Sequence, residues 1–220
     1  LCARHLACRV NVDNVGLDLL DSGNFVTRGR YIKKDKFTNS CDLISASGCC
    51  SLYRINSILD VGVFDESYFL YCEDVDLSIR CVLNGWKCIY EPKSVISHKM
   101  SVSTNKVINY ELILRARNNA HRVYICNIPL SILVFNIPFR IMSFILTFAG
   151  YLLLFDYTNL KALFMSELYK IKNIKKFLAE NARRMKLKKI SSWYIFRKQK
   201  FFLFFYCLYY SDIIKKKIHV

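Results

Sequence analysis

The spacing of apolar and polar residues changes several times along the first half of the chain. Residues 41–54 form an apolar run broken by small residues, which predicts a buried strand that enters a tight turn at Gly48. Residues 55–61 predict a short helix that ends at Gly62. Over residues 74–83 apolar side chains recur every three or four positions, which predicts a second helix; Asn-Gly follows it as a stop signal.

The segments on either side of these helices have weaker patterns. Residues 1–40 are polar and irregular, and residues 21–25 and 27–36 within them are predicted to form turns or loops. Residues 86–92 and 94–98 predict two short extended segments split by Pro92. Alternating helices and strands on this scale favour an α/β architecture.

The second half of the chain is helical and strongly apolar in pattern. A helix is predicted from Lys106 onward. Residues 123–155 contain one charged side chain, Arg140, but two prolines and this arginine leave no clean span of about 20 apolar residues. We therefore expect two half-inserted helices, or one kinked hairpin.

Residues 158–190 predict an amphipathic helix with basic residues around its apolar face. That combination is typical of a helix lying on an anionic membrane surface. The apolar face comprises Leu160, Leu163, Phe164, Leu168, Ile171, Ile174 and Leu178.

Charge divides the chain in the same place. Of the 33 Lys and Arg and 17 Asp and Glu, residues 1–91 hold 10 basic and 12 acidic side chains, and the remainder holds 23 and 5. A near-neutral half followed by a basic, apolar half indicates two roles, and the second half favours a lipid surface. Because no nucleic-acid motif accompanies the charge, a nucleic-acid partner ranks last. The ten cysteines contain no C-x-x-C pair, which favours reduced thiols in a cytoplasmic compartment.

Five carboxylates crowd into twelve residues: Asp65, Glu66, Glu73, Asp74 and Asp76. The loop that carries them leads into a predicted helix N-terminus, where backbone N–H groups favour an ionised carboxylate. Such a group can accept a proton from a substrate hydroxyl. Asp76 and Arg80 stand at i, i+4 and can pair on the helix surface, which leaves Asp74 free for chemistry.

Residues 42–104 resemble the acceptor-side half of family 2 glycosyltransferases, the inverting GT-A enzymes, and most of all their rhamnosyltransferase-like branch. The family pattern is an SGA-type turn, a basic residue, GxFDExFFxYxEDxDLxxRxxxxG, a strand ending near Pro, and a His. The matching residues are Ser47, Gly48, Arg54, Gly62, Phe64, Asp65, Glu66, Phe69, Tyr71, Glu73, Asp74, Asp76, Leu77, Arg80, Gly85, Pro92 and His98. Residues 115–119, RARNN, resemble the segment that precedes the family's C-terminal helices.

The resemblance implies a role for each of six residues. Asp74 would be the general base that deprotonates the acceptor hydroxyl, and Glu73 its partner. His98 would help to bind a divalent metal or the donor diphosphate. Gly48, Asp65 and Arg80 would shape the acceptor site: Gly48 by close approach of the backbone, Arg80 by orienting the acidic cluster.

Plainer interpretations stand beside these roles. Asp65 and Glu66 can be turn and helix-cap residues, Arg80 a structural ion-pair partner, and His98 a structural histidine. The aromatic residues Phe64, Phe69 and Tyr71 can be core or pocket wall.

The resemblance further implies an α/β fold: a partial GT-A (Rossmann-like) domain lacking its N-terminal nucleotide-binding half, followed by membrane-associated amphipathic helices. The expected domains are residues 1–105 and 106–220. The early Asp for the nucleotide and the D-x-D metal motif have no match in the sequence. We therefore expect a C-terminal fragment, and a divalent metal (Mg or Mn) held mainly by residues outside this chain.

The implied function is transfer of a sugar from a nucleotide-sugar donor to a glycan or lipid-linked acceptor in cell-surface polysaccharide synthesis. The expected location is the cytoplasmic face of the cell membrane. The alternative is an inactive remnant, or a module that binds membrane and acceptor without catalysis.

Overall fold

The computed structural model describes residues 2–6, 12–30, 32–97 and 110–203. In chain order the strands are β1 (Cys2–Leu6), β2 (Val12–Asn14), β3 (Leu17–Leu19), β4 (Phe25–Thr27), β5 (Cys41–Leu43) and β6 (Cys88–Ser97). The helices are α1 (Ile55–Val61), α2 (Glu73–Leu83), α3 (Tyr110–Asn127), α4 (Leu130–Phe135), α5 (Ile137–Leu153), α6 (Tyr157–Met185) and α7 (Ser192–Lys198). Short 3₁₀ turns lie at Lys34–Lys36 and Glu66–Tyr68.

Four strands form a mixed sheet in the order β2-β1-β6-β5. β1 runs parallel to β6, whereas β2 and β5 run antiparallel to their neighbours. β3 and β4 form a separate antiparallel hairpin, with Leu17 opposite Thr27. Turns lie at residues 21–22 and 28–30, within the two stretches that the sequence predicts as turns or loops. The strands β1 to β4 lie mostly in other parts of residues 1–40, and most are too short to show an alternating pattern.

β6 continues through Pro92, so the prediction of two segments split at this proline is also wrong. Along the β1–β6 ladder the partners change from Cys2 and Tyr90 to Arg4 and Val95. β6 therefore advances five residues while β1 advances two. This bulge contains Pro92, which has no N–H to donate to a regular ladder.

Both predicted helices of the acidic region are confirmed. α1 ends at Gly62, whose φ of 85° is a left-handed conformation that glycine adopts without a steric penalty. α2 ends at Asn84, just before Gly85. Its apolar face is buried and includes Val75, Ile79 and Val82.

The main core joins the two sides of the predicted boundary at residue 105. It contains Leu19, Ile44 and the apolar face of α2, together with side chains of α3, α6 and α7 such as Val123 and Phe177. α3 and α6 lie along one another, and α5 packs against α6. A smaller cluster around Val12, Leu43 and Tyr90 fills the space beside the sheet. The helices that follow residue 110 therefore complete the core beneath α2.

No helix in the described ranges is both long enough and apolar enough to cross a membrane. The apolar stretch of residues 123–155 is instead divided among the end of α3, α4 and α5.

Candidate active site

Asp74 lies in the first turn of α2, where the loop of residues 62–72 meets the helix. Its Oδ2 accepts a hydrogen bond from the backbone N–H of Gly48 at 2.5 Å, and its Oδ1 accepts one from the N–H of Val75 at 2.8 Å. A β-carbon on residue 48 would lie 3.0 Å from Oδ2 and 3.2 Å from the β-carbon of Asp74. Glycine at position 48 therefore allows the carboxylate to reach the backbone, and the structure brings these two predicted site residues together.

Burial raises the pKa of Asp74, and the hydrogen bonds from Gly48 and Val75 offset this only in part. The backbone donors favour the ionised form of Asp74, as the sequence predicts for a carboxylate at a helix N-terminus. The loss of solvent around the carboxylate, which the sequence does not reveal, has the larger effect. A raised pKa brings the carboxylate nearer to the range that suits a general base.

Glu73 lies next to Asp74 and is partly buried. Burial raises the pKa of its carboxyl, and the negative charge of Asp74 raises it further. Its Oε2 has no hydrogen-bond partner within the described part of the chain. A carboxylate oxygen that is shielded from water without a donor is costly, and the raised pKa of Glu73 is consistent with that cost.

The loop before α2 has a strained backbone. Phe69, Tyr71 and Cys72 have φ angles of 56°, 71° and 68°, in the left-handed region that side chains other than glycine rarely adopt. Such residues cost about 1–3 kcal/mol each and persist only where surrounding contacts hold them. The buried amide of Asn119 supplies those contacts. Its Nδ2 donates to the carbonyl oxygens of Tyr68, Leu70 and Tyr71 at 3.0, 2.9 and 2.9 Å.

Two aromatic side chains of this region face solvent rather than the core. Phe69 is 80% exposed and Phe64 is 46% exposed. The guanidinium of Arg115 lies 5.3 Å from the ring centre of Phe69, and Tyr53 packs edge-on against Phe64 at 6.2 Å. The core interpretation is therefore wrong for Phe64 and Phe69, which present apolar rings beside the loop.

The predicted pair of Asp76 and Arg80 is confirmed, with Arg80 Nε 2.8 Å from Oδ2 of Asp76. Its predicted place on the helix surface is wrong, because Asp76 is fully buried. Burial alone would raise the pKa of Asp76, but the charges of Arg184 and Arg80 outweigh it and lower that pKa. Three donors converge on Oδ1: Arg184 at 2.5 Å, Asn127 at 2.9 Å and the Tyr68 hydroxyl at 3.1 Å. Both oxygens of Asp76 are thus engaged, which leaves Asp74 as the accessible member of the two.

Arg80 also fixes the end of α1. Its guanidinium donates to the carbonyl oxygens of Val61, Gly62 and Val63 at 2.6, 3.0 and 2.8 Å. One side chain therefore ties the start of the acidic loop to the helix that carries Asp74.

Asp65 caps the 3₁₀ turn that begins at Glu66. Its Oδ1 accepts hydrogen bonds from the N–H and the hydroxyl of Ser67, and its Oδ2 pairs with Arg122 of α3 at 2.8 Å. These contacts favour the turn-cap interpretation of Asp65: it acts on the site through the loop.

Four residues that support the site were not identified from the sequence: Asn119, Arg122, Asn127 and Arg184. The RARNN segment gave a partial signal for Asn119, without a role. Arg184 resembles the other basic residues of α6 in the sequence, and its partner Asp76 lies 108 positions away. No local pattern could connect them.

His98, the predicted metal or diphosphate ligand, lies outside the described residues. Within them there is no group of three or more His, Cys, Asp or Glu side chains that could hold a metal ion. The seven cysteines whose state is described, from Cys41 to Cys126, are free thiols.

Comparison with known proteins finds rhamnosyltransferases that are similar to part of this chain. A 60-residue stretch is 43% identical to N-acetylglucosaminyl-diphospho-decaprenol L-rhamnosyltransferase of Mycobacterium tuberculosis, covering 27% of this chain and 20% of the relative. A 46-residue stretch is 41% identical to rhamnosyltransferase WbbL of Escherichia coli strain K12, covering 21% and 17%. The chain thus matches about a fifth of the length of these relatives. No family model and no solved structure matches it. The matched stretches relate part of the chain to glycosyltransferases.

Proposed function

We propose that this chain forms the acceptor side of an inverting glycosyltransferase of family 2, with a GT-A type fold. The observation that carries the proposal is the carboxylate of Asp74, which two backbone N–H groups orient at the end of a loop held by Asn119. The partial similarity to two rhamnosyltransferases supports the same class of reaction.

In the proposed reaction Asp74 accepts the proton of an acceptor hydroxyl. The hydroxyl oxygen attacks the anomeric carbon of a nucleotide-sugar, and the bond from that carbon to the nucleoside diphosphate breaks on the opposite side, which inverts the configuration. Gly48 and Val75 hold the carboxylate in place, while burial keeps its pKa above that of an exposed aspartate. The exposed rings of Phe64 and Phe69 offer apolar surfaces on which a sugar can stack.

The substrates follow from the relatives in general terms. The mycobacterial relative is named for a diphospho-decaprenol-linked acceptor, and we propose a lipid-linked glycan acceptor for this chain as well. The donor would be a nucleotide-sugar, and the product would serve cell-surface polysaccharide synthesis. A divalent cation would neutralise the departing diphosphate, and its ligands would have to come largely from outside the described residues.

Replacing Asp74 by Asn tests the proposal. The amide keeps the shape of the side chain but cannot take a proton, so kcat for sugar transfer by the intact protein should fall by about 10²-fold or more. The matched control is Asp35→Asn, on an exposed 3₁₀ turn, which should leave kcat unchanged. Near-normal turnover by Asp74→Asn would overturn the assignment of the base.

We also propose that α5 and α6 hold the protein at the cytoplasmic face of the membrane. Ile137, Ile141 and Ile145 form an exposed stripe on α5, and Leu168 and Ile171 are exposed on α6. Exposed lysines, including Lys172, Lys175 and Lys176, lie on the same helix as the second stripe. Apolar stripes beside basic residues favour an anionic lipid surface.

Flotation with vesicles of phosphatidylglycerol and phosphatidylcholine tests this second proposal. The double variant Leu168→Gln/Ile171→Gln should float at least about tenfold less than wild type, because two exposed apolar side chains lose their lipid contacts. Leu59→Gln on α1, also an exposed leucine, is the control and should float normally. Full recovery of the wild-type protein in the soluble fraction at low salt would contradict the proposal.

A further inference from the structure

A cavity of about 420 Å³ lies between α3, α5 and α6, beside the turn of residues 22–24. Its size falls within the range of small-molecule sites. It shares no lining residue with the acidic loop or with the start of α2. The proposed transfer reaction therefore leaves this cavity without a role.

One wall of the cavity is basic. Arg117, Arg140 and Lys170 line it, together with His121. Glu167 is the one acidic residue in the described lining; it pairs with Lys170 and lies 3.3 Å from Nε2 of His121. The carboxylate is thus matched by Lys170, and the charges of the two arginines are additional to that pair.

The contacts of both arginines orient them without neutralising them. Arg117 donates to the hydroxyl of Tyr151 at 2.6 Å, and Arg140 lies 4.5 Å from the ring centre of Tyr124. Within the described residues neither guanidinium forms an ion pair with a carboxylate. Two half-buried, uncompensated guanidinium groups on one cavity favour an anion with several oxygens, such as a phosphate.

The other wall of the cavity is apolar and opens to the outside. Ile137 and Ile141 line the cavity and are nevertheless 49% and 56% exposed, so they form its rim. Phe144 and Leu163 lie farther in. The rim continues into the exposed apolar stripe of α5. The basic cavity therefore opens onto an apolar surface.

We propose that this cavity binds the phosphate group of a lipid, with Arg117 and Arg140 on the phosphate oxygens and the hydrocarbon chain over Ile137 and Ile141. A membrane phospholipid and a polyprenyl diphosphate share this chemistry. The inference goes beyond the proposed transfer reaction, because binding at this cavity requires neither a sugar donor nor the carboxylate of Asp74.

Isothermal titration of the full chain with soluble short-chain probes tests the proposal. The probes are dioctanoyl phosphatidic acid, farnesyl diphosphate, inorganic phosphate and pyrophosphate. At least one lipid should bind at least about tenfold more tightly than the inorganic anion that matches its head group, since burial of a few methylene groups is worth that much. The tighter of the two lipids identifies the source of the ligand.

Two matched pairs of variants locate the binding. Arg140→Gln should weaken lipid binding by about tenfold or more, whereas Lys34→Gln, the same loss of charge on an exposed 3₁₀ turn, should not. Ile141→Gln should weaken the lipid but not the inorganic anion, and Leu59→Gln, an exposed apolar residue of α1 away from the cavity, should change neither. If Arg140→Gln fails to fold, Arg140→Lys keeps the charge but loses the planar fork, and should also bind more weakly.

Three results would overturn the proposal. They are no binding of either lipid, inorganic anions that bind as tightly as the lipids, and equal losses from Arg140→Gln and Lys34→Gln. None of these measurements depends on sugar transfer, so an inactive Asp74 would leave the test intact.

Discussion

Asp74 and Asp76 lie two positions apart on α2, yet their pKa values shift in opposite directions. Burial raises that of Asp74, whereas Arg184 and Arg80 lower that of Asp76 in spite of its burial. Neighbouring acids whose pKa values are pushed apart commonly divide the work between them. Here Asp76 has the lower pKa, and both of its oxygens accept hydrogen bonds. Asp74 has the higher pKa and is the more accessible of the two to a proton.

The raised pKa of Asp74 predicts the acid limb of the activity. A base must be ionised, so kcat/KM for transfer should fall as the pH drops through the pKa of Asp74, with a midpoint above the ordinary aspartate value of 3.8. A pH–rate profile of the intact protein measures this. Asp65→Asn, which alters a turn cap rather than the base, should lower stability by about 1 kcal/mol and leave the midpoint in place. A wild-type midpoint at or below 3.8 would contradict the prediction.

At the scale of elements, the acidic loop and α3 depend on one another. The loop holds three residues with positive φ within four positions, and one buried amide from α3 holds the carbonyl groups around them. Arg122, one turn along the same helix, binds the aspartate that caps the preceding 3₁₀ turn. α3 therefore sets the path of the chain that leads to Asp74.

Asn119→Asp should release this loop. The carboxylate has nearly the same shape as the amide but replaces the Nδ2 donor by an acceptor that faces three carbonyl oxygens. Hydrogen exchange of residues 68–72 should accelerate, and kcat should fall more than KM rises, because the base loses its fixed position. Asn173→Asp on α6, where the amide contacts only a carbonyl of its own helix turn, is the control. Unchanged exchange in the loop would show that other contacts hold it.

For the whole molecule, a buried ionic network joins α2, the helix that carries Asp74, to the C-terminal helices. Arg184 of α6 donates to Asp76 of α2 at 2.5 Å and to Asn127 of α3 at 2.7 Å, and it also binds Glu180 at 2.6 Å. The surrounding core draws side chains from both sides of residue 105. Any shift of α6, for example on binding to a surface, would therefore change the contact between Arg184 and Asp76 of α2.

Arg184→Met should destabilise the protein by about 3–5 kcal/mol, since it leaves the charge of Asp76 buried beside a single remaining arginine. Arg183→Met is the natural control. Arg183 also binds Glu180, but its side chain is 69% exposed. Its substitution should therefore lower the free energy of unfolding by no more than about 1 kcal/mol. Urea unfolding followed by circular dichroism measures both. Equal losses from the two variants would contradict a central role for the buried network.

Local features of this protein could be predicted from the order of its residues alone. The positions of α1 and α2, their stops at Gly62 and Asn84, and the pairing of Asp76 with Arg80 could all be predicted, because each depends on residues within one or two helical turns. The ordered motif of residues 47–98 also indicated the class of enzyme to which part of the chain is related.

The environment of those residues depends on contacts between segments that are distant in the chain. Arg184 contacts the buried carboxylate of Asp76, and Asn119 holds the strained loop, yet both residues lie far along the chain from these partners. The pKa of Asp74 is raised because the folded chain shields its carboxylate from solvent. The positions and pairing of the strands in residues 1–40 were likewise not predictable, because three-residue strands show no alternation and β1 pairs with the distant β6. Periodicity reports which face of an element is apolar, whereas solvation and charge at a site depend on which distant elements cover it.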